Sequence, residues 1–292
     1  MRILLLGKYG QLGWELHRTL ATLGEVIALD YPEIDLSKPT QGQQAVRDAQ
    51  PHVIVNASAY TAVDRAENEP EIAHALNAIT PGALAEEARR GGAALIHFST
   101  DYVFDGRQNR PYQESDTPNP LGVYGQSKLD GERAVQGIGG AYLILRTSWV
   151  YSLRRDSFVT KALQWSRQQK TLRIVADQVG NPTWARMLAE VTAQVLAKGG
   201  AGCQNWISAH SGLYHLAGSG YTSRMEWCKA ILRLDPRKEE QVAREVLPAL
   251  TSDFPTPAQR PLFSALNCER FQETFGLCLP NWYNALRMAM EN

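Results

Sequence analysis

Met1-Arg2-Ile3-Leu4-Leu5-Leu6-Gly7-Lys8-Tyr9-Gly10-Gln11-Leu12-Gly13 opens the chain. A short apolar run that stops at a glycine reads as a strand at 2–6 covered on both faces. Beyond the turn, Leu12, Leu16, Leu20 and Leu23 fall close to helical spacing and make one buried stripe. Strand, glycine-rich turn and helix, in that order, form the context in which such a motif serves a dinucleotide. Glycine lets backbone approach a pyrophosphate, and the helix N-terminus offers unpaired N–H donors and a favourable dipole. The spacing of Gly7, Gly10 and Gly13 is GxxGxxG rather than GxGxxG, and glycines at a tight strand-to-helix turn also have a purely structural use.

Outward from this unit, short apolar runs at 26–29, 53–55, 94–98 and 142–145 alternate with helical patterns near 41–50, 71–90 and 124–136. That rhythm is the signature of βαβ units. It predicts an α/β fold with a Rossmann-like, doubly wound parallel sheet over residues 1–150, the dinucleotide-binding part. After Trp149 helical segments near 157–169, 185–197 and 222–233 are separated by loops rich in Gly, Pro and Ser, with short strand candidates such as 172–175. Residues 151–292 therefore read as a smaller, mixed α/β lobe, mainly substrate-binding, with room for segments to return to the first domain. Gly199-Gly200-Ala201-Gly202 reads as a flexible surface connection.

Composition narrows the function classes. The 292 residues are 44% hydrophobic, enough to bury a substantial core, and 30 basic residues balance 30 acidic ones. Nothing in this balance calls for a nucleic-acid or anionic-membrane partner. Cys203, Cys228, Cys268 and Cys278 form neither a CxxC pair nor a zinc-ligand spacing, so reduced structural thiols are expected. The opening apolar run is shorter than the roughly 7 to 15 residues of a signal-peptide core, and no run approaches a membrane span. A cytoplasmic location is expected.

Two residues near the glycine turn pull in opposite directions. Asp30 ends the second strand candidate, where a carboxylate accepts from ribose hydroxyls and favours NADH. Lys8 sits inside the loop, where it can neutralise the extra phosphate of NADPH, so both cofactors are expected to be usable. Each residue also has an ordinary reading, a turn Asp and a solvated Lys.

Tyr124-Gly125-Gln126-Ser127-Lys128 sets a tyrosine and a lysine on one face of a helix. A free phenol has a pKa of about 10, so a tyrosine working near neutral pH benefits from roughly 3 units of depression, or about 4 kcal/mol of phenolate stabilisation. A neighbouring ammonium and a cationic nicotinamide ring supply such a field. The spacing alone is common, and an exposed helical pair is the plain alternative. Ser99-Thr100-Asp101-Tyr102-Val103-Phe104-Asp105-Gly106 strengthens the catalytic reading, because Thr100 follows the fourth strand, at the sheet edge where ligands bind in open α/β folds. There its hydroxyl can polarise a substrate carbonyl.

Further blocks carry a wider likeness: Asn56-Ala57-Ser58-Ala59-Tyr60-Thr61-Ala62-Val63-Asp64, Arg146-Thr147-Ser148-Trp149-Val150-Tyr151, Asp177-Gln178-Val179-Gly180-Asn181-Pro182-Thr183, Gly212-Leu213-Tyr214-His215 and Pro255-Thr256-Pro257-Ala258-Gln259-Arg260-Pro261. With the motifs above they resemble the dTDP-4-dehydrorhamnose reductase family of extended short-chain dehydrogenases/reductases over nearly the whole chain. The resemblance implies reduction of the 4-keto group of dTDP-4-dehydro-β-L-rhamnose to dTDP-L-rhamnose by NADPH or NADH. By it, Tyr124 protonates the developing alkoxide, Lys128 holds the nicotinamide ribose and biases Tyr124, Thr100 orients the carbonyl, and Asn77 aligns a proton-relay water.

The resemblance also implies cofactor contacts at Gln11 and Leu12 in the glycine loop, at Asp30, Asp35 and Leu36, at Ala59, Tyr60 and Thr61, and at Phe98. Asp101 and Trp149 match positions expected to touch the sugar nucleotide, though a Trp after an apolar strand also packs readily. Arg260, in a loop stiffened by Pro255, Pro257 and Pro261, is assigned to the diphosphate, for which a guanidinium is well suited. Some members are magnesium-bridged dimers. Glu15 is available as an oxygen ligand, but Arg186 stands where a second acidic ligand is expected, which argues against a bridge. No catalytic metal is expected, and the chain is expected to be a monomer or a weak homodimer. Two other readings stay open: a reductase of another nucleotide-linked 4-keto-6-deoxysugar, and a non-catalytic subunit like the regulatory subunit of methionine adenosyltransferase, against which Tyr124, Lys128 and Thr100 speak.

Overall fold

The computed structural model describes residues 1–291. Its first half follows the alternation of the sequence. Strands β1 (Arg2–Leu6), β2 (Glu25–Leu29), β3 (Val53–Asn56), β4 (Ala94–Thr100) and β5 (Tyr142–Thr147) are all parallel. A sixth strand, Gly212–His215, joins them beside β5, giving the spatial order sixth strand, β5, β4, β3, β1, β2. Period-two alternation explains why β1 is apolar throughout: Ile3 and Leu5 enter the core on one face of the sheet, Leu4 and Leu6 the core on the other.

On the first face Leu12, Leu16 and Leu20 of α1 (Gln11–Leu20) pack with Leu188, Val195 and Leu196 of the helix Ala185–Gly199. On the second, Val46, Leu84, Ala88 and Val135 cover the sheet from three different helices. Both faces are thus dry, as a parallel sheet requires. A third apolar cluster around Tyr151, Leu172, Trp227 and Leu286 forms the core of the smaller lobe. Residues beyond 150 serve both parts, since Gly212–His215 and the helix Ala185–Gly199 lie on the main sheet. Among the described residues no helix is long and apolar enough to cross a membrane.

Two elements depart from their sequence patterns. The sixth strand is four residues long and contains a glycine and a histidine, so nothing in its local pattern marks it; pairing with β5 makes it. The single helix expected near 71–90 is three pieces: Pro70–His74, a π-turn over Ala75–Ile79, and Thr80–Gly91. The helix Val123–Ile138 presses against that π-turn, with Gly131 so close that a Cβ there would lie 2.0 Å from the Asn77 carbonyl oxygen. The tract expected to be a flexible connection at 199–202 is a short 3-10 turn, Gly200–Gly202, on the surface.

Gly131 thus sets how closely the two helices approach. Alanine gains roughly 1 kcal/mol over glycine in a helix, while overpacking against backbone costs about 1–3 kcal/mol. With the added Cβ set against backbone, the upper end of that cost applies, and Gly131→Ala is expected to lower the urea-unfolding free energy by about 2 kcal/mol. A variant as stable as its parent would show that the helix shifts aside without cost.

Candidate active site

A cleft of about 1230 Å³ runs along the carboxyl ends of the strands and under the smaller lobe. Small-molecule pockets commonly measure about 300–1,000 Å³, so this one has room for a dinucleotide and a second ligand.

At one end, Gly7, Gly10, Gln11 and Leu12 line the cleft. Gly7 has φ 88°, and a Cβ on Gly13 would fall 1.9 Å from the Gly7 carbonyl oxygen. Gly13 therefore does not face the cleft; it lets α1 start close behind the turn. No side chain caps α1, whose N-cap is Gly10, so its leading N–H groups stay open to an anion. Asp30, Asp35, Leu36, Ala59, Thr61 and Phe98 continue the lining. Asp30 accepts from the backbone N–H groups of Tyr9 and Tyr31, each at 2.8 Å, which hold its carboxylate at the cleft wall. Such a cradle fits a nicotinamide dinucleotide.

Lys8 and Tyr60 are placed differently from expectation. Lys8 Nζ pairs with Glu33 Oε1 at 2.7 Å, and this carboxylate holds the ammonium above its ordinary pKa. With its charge already matched, Lys8 is not a free cation for a second phosphate. The Tyr60 hydroxyl turns away to donate to Glu69, leaving only its backbone near the cleft. That backbone is clamped by Asn77, whose Oδ1 accepts from Tyr60 N at 2.9 Å while Nδ2 donates to Tyr60 O at 3.1 Å and Ser127 Oγ at 3.0 Å. Asn77 thus clamps the Tyr60 loop to the Tyr124 helix with both N–H groups of its amide, and the water-aligning role expected for it is left only the second lone pair of Oδ1.

Deeper in, Thr100, Tyr124 and Lys128 line one stretch of cleft wall. Burial pushes the Tyr124 phenol above its ordinary pKa, and a hydrogen bond with the Thr100 hydroxyl offsets part of the rise. Lys128 is buried; its Nζ donates to the Phe98 carbonyl at 2.6 Å and lies 3.4 Å from His97 Nε2. Burial lowers it to about 8, with Glu132 opposing the shift. Tyr124 and Lys128 share a helix face as their spacing predicts. The Lys128 nitrogen is held on the Phe98 carbonyl, on the strand beside them.

Asp101 belongs to the same wall. Its carboxyl accepts from Ser148 Oγ at 3.1 Å, Ser264 Oγ at 2.5 Å and Thr100 Oγ1 at 3.2 Å. Burial nevertheless raises it to about 6, with these hydroxyls acting in the opposite sense. Trp149, at φ 45°, stacks on Trp227 with ring centroids 5.5 Å apart. Its ring edge sits over Gly180, where a Cβ would come within 2.6 Å.

The whole chain, residues 1–292, matches the family model described as the RmlD substrate binding domain. The chain belongs to this family. Among its relatives, a dTDP-4-dehydrorhamnose reductase of Salmonella typhimurium is 44% identical over 97% of this chain and 94% of its own length. One of Burkholderia thailandensis is 42% identical over 100% of this chain and 99% of its own. The crystal structure of the dTDP-4-dehydrorhamnose reductase of Bacillus anthracis in complex with NADP superposes with a TM-score of 0.89, at 30% identity, covering 99% of this chain and 98% of that one.

Within this family member, Arg260 does not reach into the cleft. It forms a bidentate pair with Asp64, Nη1 to Oδ1 at 3.0 Å and Nη2 to Oδ2 at 2.7 Å, and donates further to Thr256 and the Ala258 carbonyl. Arg224, a residue that sequence reading passed over, lines the cleft instead. Its guanidinium carbon lies 3.8 Å from the centre of the Trp149 ring and close to Phe158 and Trp227. Glu15 faces the guanidinium groups of Arg18, Arg154 and Arg186, and Arg186 pairs with Glu190 at 3.1 Å. The Glu190 carboxylate also acts on Glu15 and raises its pKa.

The raised Asp101 pKa has a stability consequence. Between about pH 4 and 6 the folded chain keeps a proton that the unfolded chain has lost, so stability falls as pH rises through that window. Asp101→Asn removes this titration. Its unfolding free energy, relative to the parent, is expected to improve by about 1 kcal/mol between pH 5 and pH 7.5. A pH-independent difference would rule out the titration.

Proposed function

We propose that this protein reduces the 4-keto group of dTDP-4-dehydro-β-L-rhamnose to dTDP-L-rhamnose, using NADPH or NADH. The observation that carries the reading is the meeting of Thr100, Tyr124 and Lys128 in one cleft with the open N-terminus of α1. The glycine turn holds the pyrophosphate and Asp30 the adenosine ribose. Bound there, the reduced nicotinamide supplies the hydride.

Burial keeps the Tyr124 phenol protonated at neutral pH, so it is charged with a proton to give when negative charge grows on the sugar oxygen. Thr100 donates to that oxygen and orients the carbonyl. Asp101 acts through Thr100, since its carboxyl accepts the Thr100 hydroxyl in the absence of substrate. Lys128, one helical turn on along the same cleft wall, holds the nicotinamide ribose. For the diphosphate we assign Arg224 in place of Arg260: it faces the cleft and no carboxylate among the described residues forms an ion pair with it, whereas Arg260 is already matched by Asp64. Trp149, which packs under Arg224, forms the floor for the sugar nucleotide. We place the enzyme in the cytoplasm, with its reduced nicotinamide pool, as a monomer or weak homodimer.

The test is to incubate the protein with dTDP-4-dehydrorhamnose and NADPH and identify the product sugar. Formation of dTDP-L-rhamnose supports the reading, and turnover only of a different 4-ketosugar replaces the substrate. Tyr124→Phe is expected to lower kcat about 100-fold or more. Arg224→Ala is expected to raise the KM for the sugar nucleotide about 10- to 100-fold, the loss of a charged hydrogen bond, with little change for NADPH. Equal effects on both KM values would return the diphosphate assignment to another residue.

A further inference from the structure

Asn56 and His97 face each other across β3 and β4, in register and both fully buried. Asn56 Oδ1 accepts from Ser58 N at 3.1 Å and from Ser58 Oγ at 2.6 Å. Two donors on that oxygen fix the amide, so its NH2 group is the part that meets His97 Nδ1, at 3.2 Å. An NH2 group cannot accept, and His97 Nδ1 therefore carries no proton. Burial and the neighbouring Lys128 hold the imidazole well below its ordinary pKa, so the ring is neutral and its one proton sits on Nε2. That nitrogen lies 3.4 Å from Lys128 Nζ.

We propose that His97 is a positioning residue for Lys128: with its tautomer set by Asn56, it turns an N–H toward the lysine nitrogen and keeps that nitrogen's proton labile. The hydrogen-bond inventory makes the point. A neutral amine has two N–H groups and one lone pair. One N–H goes to the Phe98 carbonyl at 2.6 Å, the lone pair receives the His97 N–H, and the second N–H is left for the cleft that Lys128 lines. An ammonium has three N–H groups and no lone pair, so one of them runs against the His97 N–H. Opposing donors disfavour the charged form beyond the cost of burial. Glu132, one turn further along the helix, favours the ammonium, but both its oxygens are bound by Arg146 of β5, and Ser99 of β4 donates to one of them. The Tyr124 phenol stands one turn earlier and points to Thr100. Among these groups His97 is the one whose polarity the sequence sets against the lysine charge.

The catalytic consequence rests on the reductase reading. Each turnover takes a proton from Tyr124, and a lysine that releases its own readily near pH 8 is suited to helping restore it, drawing a replacement from solvent. The titration itself does not depend on that reading.

It can be followed directly. In ligand-free protein carrying lysine labelled with 13C at Cε, the Lys128 resonance, assigned by its loss in Lys128→Met, is titrated by NMR in the parent and in His97→Phe and His97→Leu. Both variants remove the ring N–H. The Lys128 midpoint is expected to rise by about one pH unit in each, and the basic limb of kcat/KM to move up with it while the KM for NADPH stays within about twofold. A midpoint unchanged in a variant that keeps the parent's near-ultraviolet circular dichroism overturns the proposal. A shifted midpoint without ketosugar reduction in the parent would leave His97 in its role and overturn the reductase reading instead.

Discussion

Glu132 and Arg146 form a bidentate ion pair, 2.9 and 2.6 Å, buried between the helix Val123–Ile138 and β5. Ser99 at the end of β4 donates to the same carboxylate. Three elements are thereby locked near the carboxyl edge of the sheet. Breaking such a pair by removing one partner typically costs about 3–5 kcal/mol, because the other charge is left buried and unmatched. The arrangement specifies position more than it adds stability. It sets the height of the helix over β4, and so brings Tyr124 against Thr100 and the Lys128 nitrogen onto the Phe98 carbonyl.

From that anchor the rest of the site follows by contact. Gly131 lets the same helix settle onto the π-turn, and Asn77 in that turn grips both Ser127 and the Tyr60 backbone. The far wall is tied in by Asp101, which gathers Thr100, Ser148 and Ser264 from three separate stretches of chain around one buried carboxyl. Asn181 joins the lobes in the same way, donating to the Gly218 and Gly220 carbonyls and accepting from Leu266 N. Polar groups sealed from water must be satisfied, and each of these side chains does so by bridging segments that the apolar cores alone would leave free to slide.

What could be read beforehand had local causes. The apolar runs of the first five strands are buried on both faces, so their composition announces them. The glycine turn needs a backbone that only glycine adopts cheaply, and Tyr124 with Lys128 shares a face because four residues make about one helical turn. The sixth strand and the π-turn lacked such marks: the one exists through its pairing with β5, the other through the pressure of a neighbouring helix.

The sequence by itself determined the parallel sheet, the glycine turn at the start of α1 and the shared helix face of Tyr124 and Lys128, because periodicity and backbone sterics act within a few residues. Only the tertiary structure decided where the charges went. Asp64 and Arg260, 196 residues apart, found each other, Glu33 took Lys8, and Arg224 was left facing the cleft. It likewise decided the tautomer of His97, through an asparagine on the adjacent strand. A charge or a proton takes its role from the groups within a few ångströms of it, and those neighbours are fixed by how the chain folds back on itself.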